Sequence, residues 1–139
     1  MSGKQTFTMI KPVATGSNYT GAILKLINEA GFRLKAMKLT HLTKKQAASF
    51  YMVHADKPFY EELTSFMSSG PIVAAILEKE NAVEDFRKLI GATDPEKAAP
   101  GTIRKIFAES LSHNAIHGSD SDENAIIESD FFFSKMERY

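Results

Sequence analysis

The chain has no cysteine in its 139 residues. That excludes a disulfide framework, a thiolate metal site and a thiol nucleophile, so stability must come from a packed core and any covalent chemistry from another side chain. Residues 1–139 suit one domain with such a core. An excess of charge is missing as well: 17 Lys and Arg stand against 17 Asp and Glu. This balance argues against a broad electrostatic surface for nucleic acid or for an anionic membrane, and any anion site must be a local cluster. No run approaches the roughly 20 apolar residues of a membrane span, and the first residues lack the apolar core of a signal peptide. The expected location is the cytoplasm. Neither a Gly-x-x-x-x-Gly-Lys-Ser/Thr loop nor a Gly-x-Gly-x-x-Gly fingerprint occurs, which excludes two common glycine-rich ways of holding phosphate. His41, His54, His113 and His117 form no tight pair with carboxylates, so no protein-held metal is expected.

What is present alternates between strand and helix signals. Thr6-Phe7-Thr8-Met9-Ile10 alternates polar and apolar residues, predicting a strand with one buried face that stops before Pro12. Ile23, Leu26, Ile27 and Ala30 recur at helical spacing, with Gly31 as the terminator. Phe32 to Ala36 alternates again, with a phase change near Met37 that suggests a bulge. Thr43 and Gln46 form a capping box before Ala47, Phe50 and Tyr51. Asp56-Lys57-Pro58 predicts a further helix start, with Phe59, Leu63, Phe66 and Met67 on its apolar side. Ile72 to Leu77 is an unbroken apolar run bounded by turns, the mark of a strand buried on both faces. Asn81 and Glu84 open a helix that Gly91 ends. Residues 92–113 form a long connection around a short helical stretch, Ile103 to Ser110, and connections of that length are often functional. This order gives an α+β fold, helices covering a mostly antiparallel sheet.

The chemistry concentrates at Asn114-Ala115-Ile116-His117-Gly118-Ser119-Asp120. A neutral imidazole is plentiful near its ordinary pKa of roughly 6.5, and one ring nitrogen can attack while the other is held by an acceptor. Gly118 would keep the approach to the ring open. Ser119 to Glu123 reads as a helix start with first-turn carboxylates, and that helix brings Glu128 within reach as the acceptor. Taken alone, His117 could simply end a strand, Lys11 be a solvated charge, Arg87 complement a helix dipole, and Tyr51 and Phe59 be core.

Asn114-x-x-His117-Gly118-Ser119-Asp120 resembles the active-site signature of nucleoside diphosphate kinases. Thr6 to Pro12, Met67-Ser68-Ser69-Gly70-Pro71 and Pro100-Gly101-Thr102-Ile103-Arg104 resemble other family segments in the same order. The resemblance spans Thr6 to Glu128 and departs over residues 13–20, where Val13 and Gly16-Ser17-Asn18 stand in place of an acidic residue and an arginine. It sharpens the fold to a ferredoxin-like βαββαβ sandwich with a four-stranded antiparallel sheet. It implies transfer of the terminal phosphoryl group of a nucleoside triphosphate, ATP as donor, to a nucleoside diphosphate through a phosphohistidine at His117, in ping-pong fashion. By the same resemblance Glu128, Lys11, Tyr51 and Asn114 belong to the catalytic group. Lys11, Phe59, Arg87, Thr93, Arg104, Leu111 and Asn114 would bind the nucleotide, with Phe59 stacking on the base, Leu111 covering its other face, and Lys11, Arg87, Thr93 and Arg104 cradling phosphate. Mg2+ would arrive on the nucleotide. A homo-oligomer built from dimers is implied, and the end of the chain at Tyr139 leaves tetramer and hexamer both open.

Two other classes fit the pattern less well. A ferredoxin-like sheet can bind single-stranded RNA, but the aromatics here fall mainly on helices and no aromatic RNA-binding strand motif is present. A catalytically silent nucleotide-binding relative would lack the nucleophile, whereas this chain keeps His117 and Glu128.

Overall fold

The computed structural model describes residues 3–139. Its centre is strand β1 (Gln5–Ile10), which pairs antiparallel with β3 (Ile72–Glu78) on one side and with β4 (Ile116–Gly118) on the other. Strand β2 (Arg33–Thr40) pairs antiparallel with β3, giving the order β2-β3-β1-β4 of a ferredoxin-like sheet. The helices are α1 (Pro12–Gly16), α2 (Thr20–Glu29), α3 (Lys44–Phe50), α4 (Tyr60–Met67), α5 (Ala82–Ile90), α6 (Ile103–Phe107) and α7 (Asp122–Phe132).

Because strand side chains alternate between faces, β1 feeds two cores. On one face Ile10, Val73, Leu77 and Ile116 pack with Ile23 and Ile27 of α2 and with Phe86 and Ile90 of α5. On the other, Phe7, Met9, Ala74 and Ile76 meet Ala47 of α3, Phe66 and Met67 of α4 and Phe132 of α7. Fully buried Phe7 and Phe86 each contribute about 1.5–3 kcal/mol through removal from water.

The helix termini follow their sequence signals. Thr43 accepts from Gln46 N, and Gln46 Oε1 accepts from Thr43 N, a complete capping box. Gly31, with φ +96°, closes α2 in a conformation that favours glycine.

Several expectations change. β1 is buried on both faces, because helices cover both sides of the sheet and even Thr6 and Thr8 lie inside. The bulge in β2 falls between Leu34 and Ala36, before Met37. Pro58 sits in a turn ahead of α4, which begins at Tyr60. The residues after the first strand form α1, with Pro12 at its start where no N–H is needed. The helical stretch beginning at Ile103 ends at Phe107.

Candidate active site

His117 sits in β4 opposite Met9 of β1, its carbonyl accepting a 2.7 Å hydrogen bond from Thr8 Oγ1. The strand is entered through a tight γ-turn: Ile116 N donates to Asn114 O at 2.9 Å, and Ala115 between them has φ +74°. A positive φ at a residue with a Cβ is strained. Lys11 N donates to Ala115 O at 2.8 Å and holds the turn against the end of β1.

The imidazole is oriented from α7. Ser121 caps this helix by accepting from Asn124 N at 3.1 Å, and Asp122 and Glu123 fill its first turn, where carboxylates suit the dipole. Glu128, on the following turns, places Oε1 3.0 Å from His117 Nε2. A carboxylate only accepts, so Nε2 carries the proton and Nδ1 keeps its lone pair. Nδ1 has no hydrogen-bond partner among the described residues. Ser119, fully buried, donates to the same Glu128 oxygen at 2.5 Å and accepts from Phe7 N at 3.3 Å. The rings of Phe7 and Phe50 flank the imidazole with centroids 6.1 and 5.9 Å away.

Three cations gather nearby without carboxylate partners among the described residues. Lys11 is buried at the end of β1 and donates to Asn114 Oδ1 at 2.6 Å. Arg104, buried in α6, donates to Gly91 O at 3.1 Å and to Ile116 O, the carbonyl just before His117, at 2.8 Å. Its Nε is buried without a partner. Burial, and then the charge of Arg104, lower the Lys11 pKa to about 7. Burial, and then the charge of Arg87, lower that of Arg104 to about 10. Arg87 itself is exposed in the last turn of α5. Cations that repel one another, with no carboxylate within ion-pair distance among the described residues, form a site for an anion.

A cleft of about 320 Å3 opens beside this cluster. Lys11, Thr93 and Asn114 line it together with Phe59, Leu63, Phe66 and Leu111, and with Glu62 and Ser112. Phe59 and Leu111 are 48% and 57% exposed, so two apolar surfaces stand open rather than filling the core.

The structure therefore gathers Lys11, Phe59, Thr93, Leu111 and Asn114 around one cleft, and pairs His117 with Glu128. His117, Glu128, Arg87, Arg104 and Tyr51 do not line that cleft. Tyr51 is buried edge-on to Phe50 at 4.9 Å. Its hydroxyl has no partner, and burial, followed by the charge of Glu128, raises its pKa. Gly118 serves another purpose than the one expected. A Cβ there would lie 3.0 Å from Ile90 Cδ1 and from Phe86 Cδ2, so the missing side chain lets β4 close on α5. Sequence reasoning passed over Ser119 as the partner of Glu128, Phe50 as a wall of the imidazole, and Glu62 and Ser112 in the cleft. Ser119 carries a signal in its place beside His117 within the signature and at the helix start, but nothing in that pattern points its hydroxyl at Glu128.

Three comparisons relate the chain to known proteins. The family model described as "Nucleoside diphosphate kinase" matches residues 4–138. A nucleoside diphosphate kinase of Flavobacterium psychrophilum is 60% identical over 139 residues, all of both chains, and one of Chlorobaculum tepidum is 58% identical over 134 residues, 96% of each. Among solved structures, the Aquifex aeolicus nucleoside diphosphate kinase superposes with a TM-score of 0.96 at 44% identity, covering 98% of this chain and 99% of that one. A halophilic nucleoside diphosphate kinase from Halobacterium salinarum, in complex with CDP, gives 0.93 at 36% identity, covering 98% and 91%.

Proposed function

The chain belongs to the nucleoside diphosphate kinase family, a family of phosphotransferases, and on that premise we propose how its own residues carry the reaction. The observation that carries the proposal is the pairing of a histidine whose Nδ1 has no hydrogen-bond partner among the described residues with three cations that have no carboxylate partner there.

A nucleoside triphosphate, ATP as the usual donor, enters the cleft with its base between Phe59 and Leu111 and its phosphates toward Lys11, Arg87, Thr93 and Arg104. The CDP complex of the Halobacterium salinarum relative supports a diphosphate ligand of this kind. Nδ1 of His117 attacks the terminal phosphorus, the bond to the bridging oxygen breaks, and the nucleoside diphosphate leaves with that oxygen's electron pair. The ring is then positively charged, and Glu128, held by Ser119, stabilises it through Nε2–H. A second diphosphate in the same cleft attacks the phosphoimidazole with its terminal oxygen and returns Nδ1 to its lone-pair state. In-line transfer needs chiefly position and positive charge, which Lys11, Arg87 and Arg104 supply. Asn114 fixes the ammonium of Lys11, and Tyr51 closes the buried side near Glu128.

Among the described residues no three His, Asp or Glu side chains are gathered as a metal cage would require. A cradle made of cations and a hydroxyl fits Mg2+ carried by the phosphate oxygens of the nucleotide, where the ion neutralises charge. No helix among the described residues is long and apolar enough to cross a membrane, in keeping with a cytoplasmic enzyme. The exposed edge strand β2, with Met37 and Leu39 open to solvent, supports pairing into a dimer, since such edges invite pairing; a tetramer or hexamer would be built from such dimers.

The test is incubation with γ-labelled ATP. The label is expected on His117, stable in alkali and lost in acid. His117→Ala is expected to abolish labelling and transfer while keeping nucleotide binding, and full activity in that variant would overturn the mechanism.

A further inference from the structure

The part of the cleft assigned to the base holds two polar side chains that the reaction does not use. Glu62 and Ser112 both line it, and neither makes a hydrogen bond or ion pair among the described residues. Glu62 follows Phe59 by three positions and precedes Phe66 by four, so Phe59, Glu62, Leu63 and Phe66 form one stripe at the start of α4. Phe66 is fixed from behind by the ring of His113, stacked at 4.3 Å and 15°. This wall is apolar except for one carboxylate.

We propose that Glu62 reads the base: its carboxylate accepts hydrogen bonds from the N–H groups on the edge of a base stacked on Phe59, and so favours guanine. The inference rests on Phe59 carrying the base, as proposed above. Stacking accepts every base, because each has a similar π-face. A hydroxyl such as that of Ser112 both donates and accepts, and therefore discriminates little. An ionised carboxylate only accepts. Guanine offers it two adjacent donors, N1–H and the 2-amino group, whereas adenine and cytosine offer one amino group each. Uracil and thymine present N3–H between two carbonyls whose oxygens repel the charge. The enzyme thus takes all bases, with a graded preference set at an exposed position.

The experiment compares kcat/KM for GDP, IDP and UDP, with ATP as donor, and equilibrium binding of the same three diphosphates. Wild type, Glu62→Gln and Glu62→Ala are measured side by side. IDP differs from GDP only in lacking the 2-amino group. Wild type is expected to favour GDP over IDP and UDP by about three- to tenfold, as one solvent-exposed charged hydrogen bond allows. Glu62→Ala is expected to bring both ratios to about one, with Glu62→Gln between. A wild type without preference, a GDP/IDP ratio that survives in Glu62→Ala, or a change shared equally by all three diphosphates overturns the proposal, the last two showing a carboxylate that serves only the dipole of α4. Failure of transfer with every acceptor, while binding keeps the Glu62-dependent ratio, counts against the phosphotransfer mechanism and in favour of base reading.

Discussion

Glu128 and His117 meet through one hydrogen bond, Oε1 to Nε2 at 3.0 Å, with each side chain only 18% exposed. One ring nitrogen is thereby tied to a carboxylate in a partly water-excluded setting, and the chemistry is left to the other. Glu128→Gln keeps a contact but removes the charge that balances the phosphorylated ring. Single-turnover phosphorylation is expected to slow by roughly one to two decades, the value of about 1–3 kcal/mol for one charge-assisted hydrogen bond, with smaller change in nucleotide affinity. A wild-type rate at saturating ATP would remove Glu128 from the mechanism.

Lys11 makes nucleotide binding depend on pH. Burial and the neighbouring Arg104 lower its pKa from the ordinary 10.5 to about 7 in the empty site, while bound phosphates favour the ammonium and raise it. The ammonium's contribution to affinity is therefore whole below about pH 7, and it declines by up to about tenfold per pH unit as the pH rises above 7 toward the bound-state value. Calorimetric titration with ADP at pH 8, in buffers of different ionisation heat, is expected to show uptake of close to one proton. Lys11→Met should abolish that uptake, and its absence in wild type would show an already charged lysine.

Gly118 is a packing residue of the site's strand. Gly118→Ala drives a methyl group to 3.0 Å from Ile90 and Phe86 and is expected to cost about 1–3 kcal/mol in denaturant unfolding, as overpacking does. Ile90→Val in the same chain should recover part of the loss. Strict additivity of the two substitutions would show that the contact is not the cause.

A single cleft that serves donor and acceptor in turn predicts ping-pong kinetics. Double-reciprocal plots of ATP against a diphosphate acceptor, without product, are expected to be parallel. Intersecting lines would require both nucleotides to be bound together.

Much of this molecule could be read before its structure was known, for reasons visible in single residues. The run from Ile72 to Leu77 is apolar throughout because helices cover both faces of β3. The box at Thr43 and Gln46 is local, and local chemistry forms wherever the chain goes. β1 misled because Thr6 and Thr8 look solvated, yet Thr8 spends its hydroxyl on the carbonyl of His117, 109 positions away. Gly118 misled in the same way, since only α5 shows what a side chain there would strike. Glu62 and Ser112 carry no motif, and only the closed cleft brings them beside Phe59.

Lys11 and Asn114, joined by a 2.6 Å bond, are 103 positions apart, and Glu128 lies further still along the chain. Contacts of such long range form only when distant segments of the chain have met. On the ribosome, then, the growing polypeptide cannot carry phosphate at first: Lys11 waits for a histidine and a carboxylate that emerge much later. Competence to carry phosphate arrives all at once, when the segment from Asn114 to Glu128 has emerged and folded back on Lys11.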